Sequence, residues 1–133
     1  GGTIDKYMGD CIMAFWNAPL DCPEHQKKAI LVAKTMREKM KKLDLGFNIG
    51  IGINSGTAVV GNMGSEQRFD YSVLGDAVNL ASRLEGQSKE FNTTIVVGED
   101  TYNAVEELHN RMYKLGTVTV KGKSNKVKIY SIK

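Results

Sequence analysis

The chain has 133 residues, of which 41% are hydrophobic and 25% are charged, and its formal net charge is +3. These proportions are typical of a globular protein, and the length corresponds to one domain. No apolar run approaches the roughly 20 residues that a membrane-spanning helix needs. The two cysteines, Cys11 and Cys22, are too few for a disulfide framework or a four-cysteine zinc site. We therefore expect one globular domain in a reducing, cytoplasmic setting.

The positive charge is concentrated at the C-terminal end. Residues 1–90 carry 11 basic and 11 acidic side chains, whereas residues 91–133 carry 7 basic and 4 acidic ones. This excess is too small for a nucleic-acid interface. It could serve a single polyanionic small molecule, and it equally fits a solvated edge strand protected by lysines. Most of the excess comes from four side chains: Lys121, Lys123, Lys126 and Lys128.

Strands and helices are predicted along the whole chain, beginning with a hairpin on either side of Gly9-Asp10. An apolar stripe then predicts a helix over 23–43, with the residues spaced alternately by four and three. The members of this stripe are Ala29, Ala33, Met36, Met40 and Leu43. The later elements are a strand over 47–56, a hairpin over 57–64 and 67–74, a helix over 75–89, a strand over 93–97, a helix over 99–108, and a strand pair over 113–120 and 127–132.

The order of these elements, ββ-α-β-ββ-α-β-α-ββ, indicates the fold class. A doubly wound parallel sheet needs strict alternation of strands and helices, which is absent here. An α+β sandwich is therefore favoured, and the ferredoxin-like βαββαβ arrangement is one member of that class. No internal repeat and no linker divides the chain, so residues 1–133 are predicted to form a single domain.

Three segments could carry chemistry, although the phosphate-loop, dinucleotide and serine-hydrolase motifs are all absent. Asp10, beside a glycine at a tight turn, could coordinate Mg²⁺, but aspartate is also a common turn residue. The glycine-rich segment 52–64 could approach a ligand closely, or it could simply form turns and bulges. Asn79 and Arg83 share one helical face and could orient a phosphate or a sugar; otherwise they are a surface amide and an ion-paired arginine.

Taken in order, these segments resemble the catalytic domain of the class III nucleotidyl cyclases, the adenylate and guanylate cyclases. The similar runs are KYMGDCIMAFW (6–16), GIGINSGTAVVGNMG (50–64) and YSVLGDAVNLASRLE (71–85), and the resemblance covers essentially the whole chain. It implies attack of the ribose 3′ oxygen on the α-phosphorus of a nucleoside triphosphate, which yields the 3′,5′-cyclic monophosphate and pyrophosphate with the help of two Mg²⁺ or Mn²⁺ ions. The family's first strand and following helix have no counterpart in 1–133, so an N-terminally truncated cyclase domain is expected.

The resemblance also implies how the base and the metal ions are bound. Asp10 matches one of two metal-holding aspartates, and the other belongs to a preceding strand of the family. Lys6 and Ser72 match the base-reading positions. Lys6 favours ATP, because an ammonium group can donate to N1 of adenine whereas guanine presents a donor there and guanylate cyclases typically carry glutamate. Serine at the second position is compatible with adenine. In this respect the chain resembles a bacterial-type subclass of cyclases that often responds to bicarbonate.

The remaining matches concern the ribose and the phosphates. Asn79 matches the asparagine that orients the ribose, and Arg83 matches the arginine that stabilises charge on the transferring phosphate. Lys121 matches a lysine that contacts the terminal phosphates. A further triphosphate arginine of the family would fall near Gly50 and is absent here, so phosphate binding would depend on backbone groups and lysines.

The family's sites form between two domains, which implies a homodimer. Asp10 of one copy would face five residues of the second copy, and the two-fold axis would give two equivalent sites. The five residues are Lys6, Ser72, Asn79, Arg83 and Lys121. The leading interpretation is an adenylate cyclase catalytic domain in signal transduction, in a protein with an upstream sensor domain that could be membrane-anchored. The segment itself is expected to contact neither nucleic acid nor a membrane.

Other interpretations stay open at the level of sequence. The missing first strand and its aspartate motivate a catalytically silent module for dimerisation or nucleotide binding, and the bare 133 residues are expected to show little or no activity. A guanylate cyclase is a further alternative. A diguanylate cyclase is disfavoured because no GGDEF-like signature occurs.

Overall fold

The structure is a computed structural model, and it describes residues 2–8, 11–44, 46, 48–65, 68–119 and 126–133. The order of its elements confirms the predicted α+β class. In chain order they are β1 (Thr3–Met8), β2 (Cys11–Phe15), α1 (His25–Leu43), β3 (Ile51–Ile53), β4 (Val59–Ser65), β5 (Arg68–Leu74), α2 (Asp76–Gln87), β6 (Ile95–Gly98), α3 (Glu99–Asn103), a 3₁₀ helix (Glu106–Arg111), β7 (Met112–Thr119) and β8 (Lys126–Ile132).

The strands form one mixed sheet and two hairpin ribbons. The sheet has the order β3-β6-β8-β7, with β3 and β6 parallel and the other neighbours antiparallel. The ribbons are the antiparallel pairs β1-β2 and β4-β5. Strand β1 lies against β5, so the two ribbons are neighbours in the fold.

The core lies on both faces of the mixed sheet. Side chains of β6 alternate between the faces, as the period of a strand requires. Ile95 and Val97 pack with Ile30 of α1, whereas Val96 packs with Leu84 of α2. The whole of β6 is buried, which explains its uninterrupted apolar sequence. The sheet is therefore covered by α1 on one face and by α2 on the other.

Some predicted elements differ from the structure. Among the described residues of the strand predicted over 47–56, only Ile51–Ile53 form a strand, and the helix predicted over 99–108 divides into α3 and the 3₁₀ helix. The prediction that the apolar stripe of α1 is the buried face is partly wrong, because Met36 is 43% exposed and Leu43 is 60% exposed. Each helical residue advances by about 100°, and packing of Ile30 against the sheet rotates the buried face of α1 away from these two residues.

A column of three stacked rings supports β8. Tyr102 stacks on His109 and on Tyr130, with ring centroids 3.9 Å and 3.6 Å apart. His109 Nε2 lies 2.8 Å from the carbonyl oxygen of Tyr102 and donates to it. Burial raises the pKa of the Tyr130 hydroxyl above its ordinary value of 10.0, with smaller contributions in the same direction from Tyr102 and Glu99. The neutral phenol is therefore the form that the fold favours.

Candidate active site

Two polar side chains project from the outer face of α2. Asn79 and Arg83 are both exposed, whereas Leu84 on the opposite face is fully buried. The i, i+4 spacing puts Asn79 and Arg83 about 6 Å apart at their Cβ atoms. Within the described part of the chain, neither makes an ion pair or a side-chain hydrogen bond. The predicted shared face is confirmed, and both side chains carry N–H donors at the surface.

The inner face of α2 lies directly on the backbone of β3 and of the turn after it. A Cβ atom at Gly52 would overlap the carbonyl oxygen of Ala81 and the amide nitrogen of Glu85, so only glycine permits this approach. A Cβ at Gly56 would lie 2.7 Å from the Cβ of Ala77. The glycines of the segment 52–64 therefore serve helix packing at these two positions, and they fix how far α2 stands from the sheet.

The start of α2 is joined directly to β5 through Gly75. Gly75 has a φ of 152°, and a Cβ there would lie 3.3 Å from the carbonyl oxygen of Thr57. Its own carbonyl accepts from the amides of Val78 and Asn79, each at 3.1 Å. Glycine is the residue that adopts this backbone conformation and fits this space, so the chain can turn from the β5 strand into the helix that carries Asn79 and Arg83.

The two base-reading candidates lie on neighbouring strands. Lys6 is in β1, paired with Met13 of β2. Ser72 is in β5, paired with Gly61 of β4. Because β1 lies against β5, the strands that carry Lys6 and Ser72 are brought together, although the side chains of both residues lie outside what the structure describes.

The two other predicted site residues, Asp10 and Lys121, lie outside the described residues. Within the described ranges, no group of three His, Cys, Asp or Glu side chains could hold a metal ion. The described residues therefore do not by themselves form a site for Mg²⁺ or Mn²⁺, whose preferred ligands are carboxylate and carbonyl oxygens.

One polar residue near α2 was not identified from the sequence. Asn54 follows β3 and donates from Nδ2 to the carbonyl oxygen of Ala77, 3.0 Å away. Its neighbour Ser55 is hydrogen-bonded instead to Thr101 of α3, with 2.7 Å between the two hydroxyl oxygens. The available signal was the alternation of positions 50, 52, 54 and 56, three of them glycine, which places Asn54 on the strand face that meets α2.

The whole domain can be compared with known proteins. Residues 5–133 match the family described as the adenylate and guanylate cyclase catalytic domain. The chain belongs to this class III cyclase family. The cyclase domain is 33% identical over 139 residues to adenylate cyclase 1 of Rhizobium meliloti (strain 1021), covering 98% of this chain and 21% of that protein. It thus spans about a fifth of that curated relative.

Solved cyclase structures share the fold. The adenylyl cyclase CyaB from P. aeruginosa superimposes with a TM-score of 0.79 at 33% identity, covering 98% of this chain and 71% of that one. The guanylyl cyclase Cya2 superimposes with a TM-score of 0.71 at 34% identity, covering 98% and 69%. These similarities identify a nucleotidyl cyclase catalytic domain, and because the two identities are nearly equal they do not show whether the substrate is ATP or GTP.

No helix in the described ranges is both long and apolar enough to cross a bilayer.

Proposed function

We propose that this cyclase domain converts ATP into 3′,5′-cyclic AMP and pyrophosphate. The observation that carries the proposal is the exposed Asn79–Arg83 pair on a helix held against β3. Arg83 offers a planar array of donors that suits phosphate oxygens, and Asn79 offers donors and an acceptor that suit ribose hydroxyls. Both roles require a fixed helix, because misplacement by about 1 Å can cost about 100-fold in rate.

In the proposed reaction, the ribose 3′ oxygen attacks the α-phosphorus in line and the pyrophosphate group leaves. Arg83 stabilises the negative charge that develops on the transferring phosphate, which is the kind of electrostatic contribution worth about 10²–10³ in rate. Asn79 holds the ribose so that its 3′ oxygen is aligned with the phosphorus. Lys121 contacts the terminal phosphates, and its proposed role rests on the family match alone.

The proposal assigns base selection to Lys6 and Ser72. It is supported by the contact between β1 and β5, the strands on which these residues lie. A lysine ammonium donates to N1 of adenine, and it would meet a donor in guanine. We therefore favour ATP over GTP, although a guanylyl cyclase is as similar to this chain as an adenylyl cyclase is.

Divalent metal ions are generally used by this family. In the proposal, Asp10 holds two Mg²⁺ or Mn²⁺ ions together with a second carboxylate that the family carries on a strand preceding the first hairpin. When bound, such ions polarise the 3′ hydroxyl and neutralise phosphate charge. The fit of Asp10 rests on the chemistry of a carboxylate towards hard cations.

We further propose that two copies of the chain share each site. Asp10 of one copy faces Lys6, Ser72, Asn79, Arg83 and Lys121 of the other, and a two-fold axis makes two equivalent sites. Residues 1–133 belong in this proposal to one catalytic domain, joined in the complete protein to a sensor domain. Its small coverage of the Rhizobium protein supports a larger parent.

The test compares the 133-residue chain with the product of the complete gene, each supplied with ATP or GTP and Mn²⁺. Cyclic AMP and pyrophosphate should form in equal amounts with the complete protein, and Arg83→Ala should abolish them. Faster cyclisation of GTP than of ATP would show that the Lys6 interpretation is wrong. Nucleotide binding with no cyclic product, under all of these conditions, would favour a silent binding module.

A further inference from the structure

Asn54 connects the end of β3 to the first turn of α2. Its Nδ2 donates to the carbonyl oxygen of Ala77 over 3.0 Å, and the bond is partly buried. In a helix that carbonyl also accepts from the amide four residues later. A carbonyl oxygen has two lone pairs, so Asn54 adds a second bond without breaking the helical ladder.

The side chain of Asn54 is held in place by its surroundings. A Cβ at Gly98 would overlap Oδ1 of Asn54, so the amide group lies between the end of β6 and the first turn of α2. A Cβ added at Gly56 would lie 2.7 Å from the Cβ of Ala77, so the backbone of Gly56 also lies close to this turn. The first turn of α2 is thus fixed by a hydrogen bond and by the close approach of the Gly56 backbone to the Ala77 methyl group.

This contact has a consequence for the exposed face of the same helix. Ala77 precedes Asn79 by two residues and Arg83 by six. A helix transmits a shift or rotation of its first turn to every later side chain. We propose that Asn54 is a positioning residue that sets the axial position and rotation of α2, and through it the placement of Asn79 and Arg83. The inference rests on the proposed cyclase function and adds a residue to that site's support.

The decisive variant is Asn54→Asp in the product of the complete gene. Aspartate has nearly the same shape, but its carboxylate is an acceptor that faces the Ala77 carbonyl, so the helix must move. We expect kcat for ATP to fall by about 10- to 100-fold at pH 8 while KM changes by less than about threefold. As pH falls, protonation restores a donor, so the activity of Asn54→Asp relative to wild type should rise.

Ser55→Ala is the matched control, because it removes a neighbouring hydrogen bond of similar length that ends on α3. It should lower the melting temperature and leave kcat near wild type. Equal losses of kcat in both variants, or a kcat for Asn54→Asp equal to wild type, would overturn the positioning role. So would a pH profile of Asn54→Asp that runs parallel to that of the wild type.

Hydrogen exchange separates this inference from the proposed function. In Asn54→Asp, amides in the first turns of α2 should exchange at least about tenfold faster than in wild type, and in Ser55→Ala they should not. If the wild-type protein forms no cyclic nucleotide, the proposed function fails and the exchange result alone decides. Unchanged protection of α2 in Asn54→Asp then overturns the positioning role, and a tenfold loss supports it.

Discussion

The close approach of α2 to β3 leads to a prediction for Gly52→Ala. The added methyl group would overlap backbone atoms of Ala81 and Glu85, and backbone cannot rotate away as a flexible side chain can. Overpacking of this kind costs about 1–3 kcal/mol. Each kcal/mol lowers the melting temperature of a domain of this size by roughly 2–8 °C. We therefore expect a clear loss of stability in Gly52→Ala from a change of only one carbon atom.

Gly86→Ala is the matched substitution on α2 itself. A Cβ there meets nothing within 4 Å, so the change should raise stability by about 0.5–1 kcal/mol through helix propensity. Urea unfolding of both variants and of the wild type measures the two effects with opposite signs. If Gly52→Ala proved as stable as Gly86→Ala, the close helix-to-strand packing described above would be refuted.

Three further predictions concern the core, the base-reading strand and the stacked rings. Leu84→Ala should cost about 2–5 kcal/mol in urea unfolding, because Leu84 is fully buried; a cost below 1 kcal/mol would contradict its place in the core. Lys6→Glu should lower the ratio of kcat/KM for ATP to that for GTP by at least about tenfold, and an unchanged ratio would remove Lys6 from base selection. The raised pKa of Tyr130 means that the unfolded chain ionises first, so stability is fully present below the ordinary pKa of 10.0 and is lost as pH rises through the folded value. Tyr130→Phe should therefore lose less unfolding free energy than wild type between pH 9 and 11, and parallel curves would contradict the pKa direction.

Residue patterns within single helices and strands, and the order of these elements, predicted much of the fold. The i, i+4 spacing of Asn79 and Arg83 was sufficient to predict a shared face, and the β-prone run over 93–97 was sufficient to predict a strand. The α+β class followed from the order of the elements alone. The first two inferences succeeded because each depends on the residues of one helix or one strand, and the third because it needs only the sequence of element types along the chain.

Contacts between distant segments could not be predicted in the same way. Asn54 and Ala77 are 23 residues apart, and nothing in either local sequence specifies their hydrogen bond. The buried face of α1 is set by the sheet beneath it, so the local stripe assigned Met36 to the wrong side. The placement of Asp10 and Lys121 around a nucleotide stays a prediction from the family match.

The shared site can be tested most directly by mixing two inactive proteins. Asp10→Ala and Arg83→Ala remove groups that the proposal places on opposite sides of each site, so neither variant alone should cyclise ATP. When equal amounts are mixed and allowed to exchange subunits, half of the dimers are mixed and each has one intact site of two, which predicts about a quarter of wild-type activity. A mixture as inactive as its components would contradict a site built from two copies of the chain.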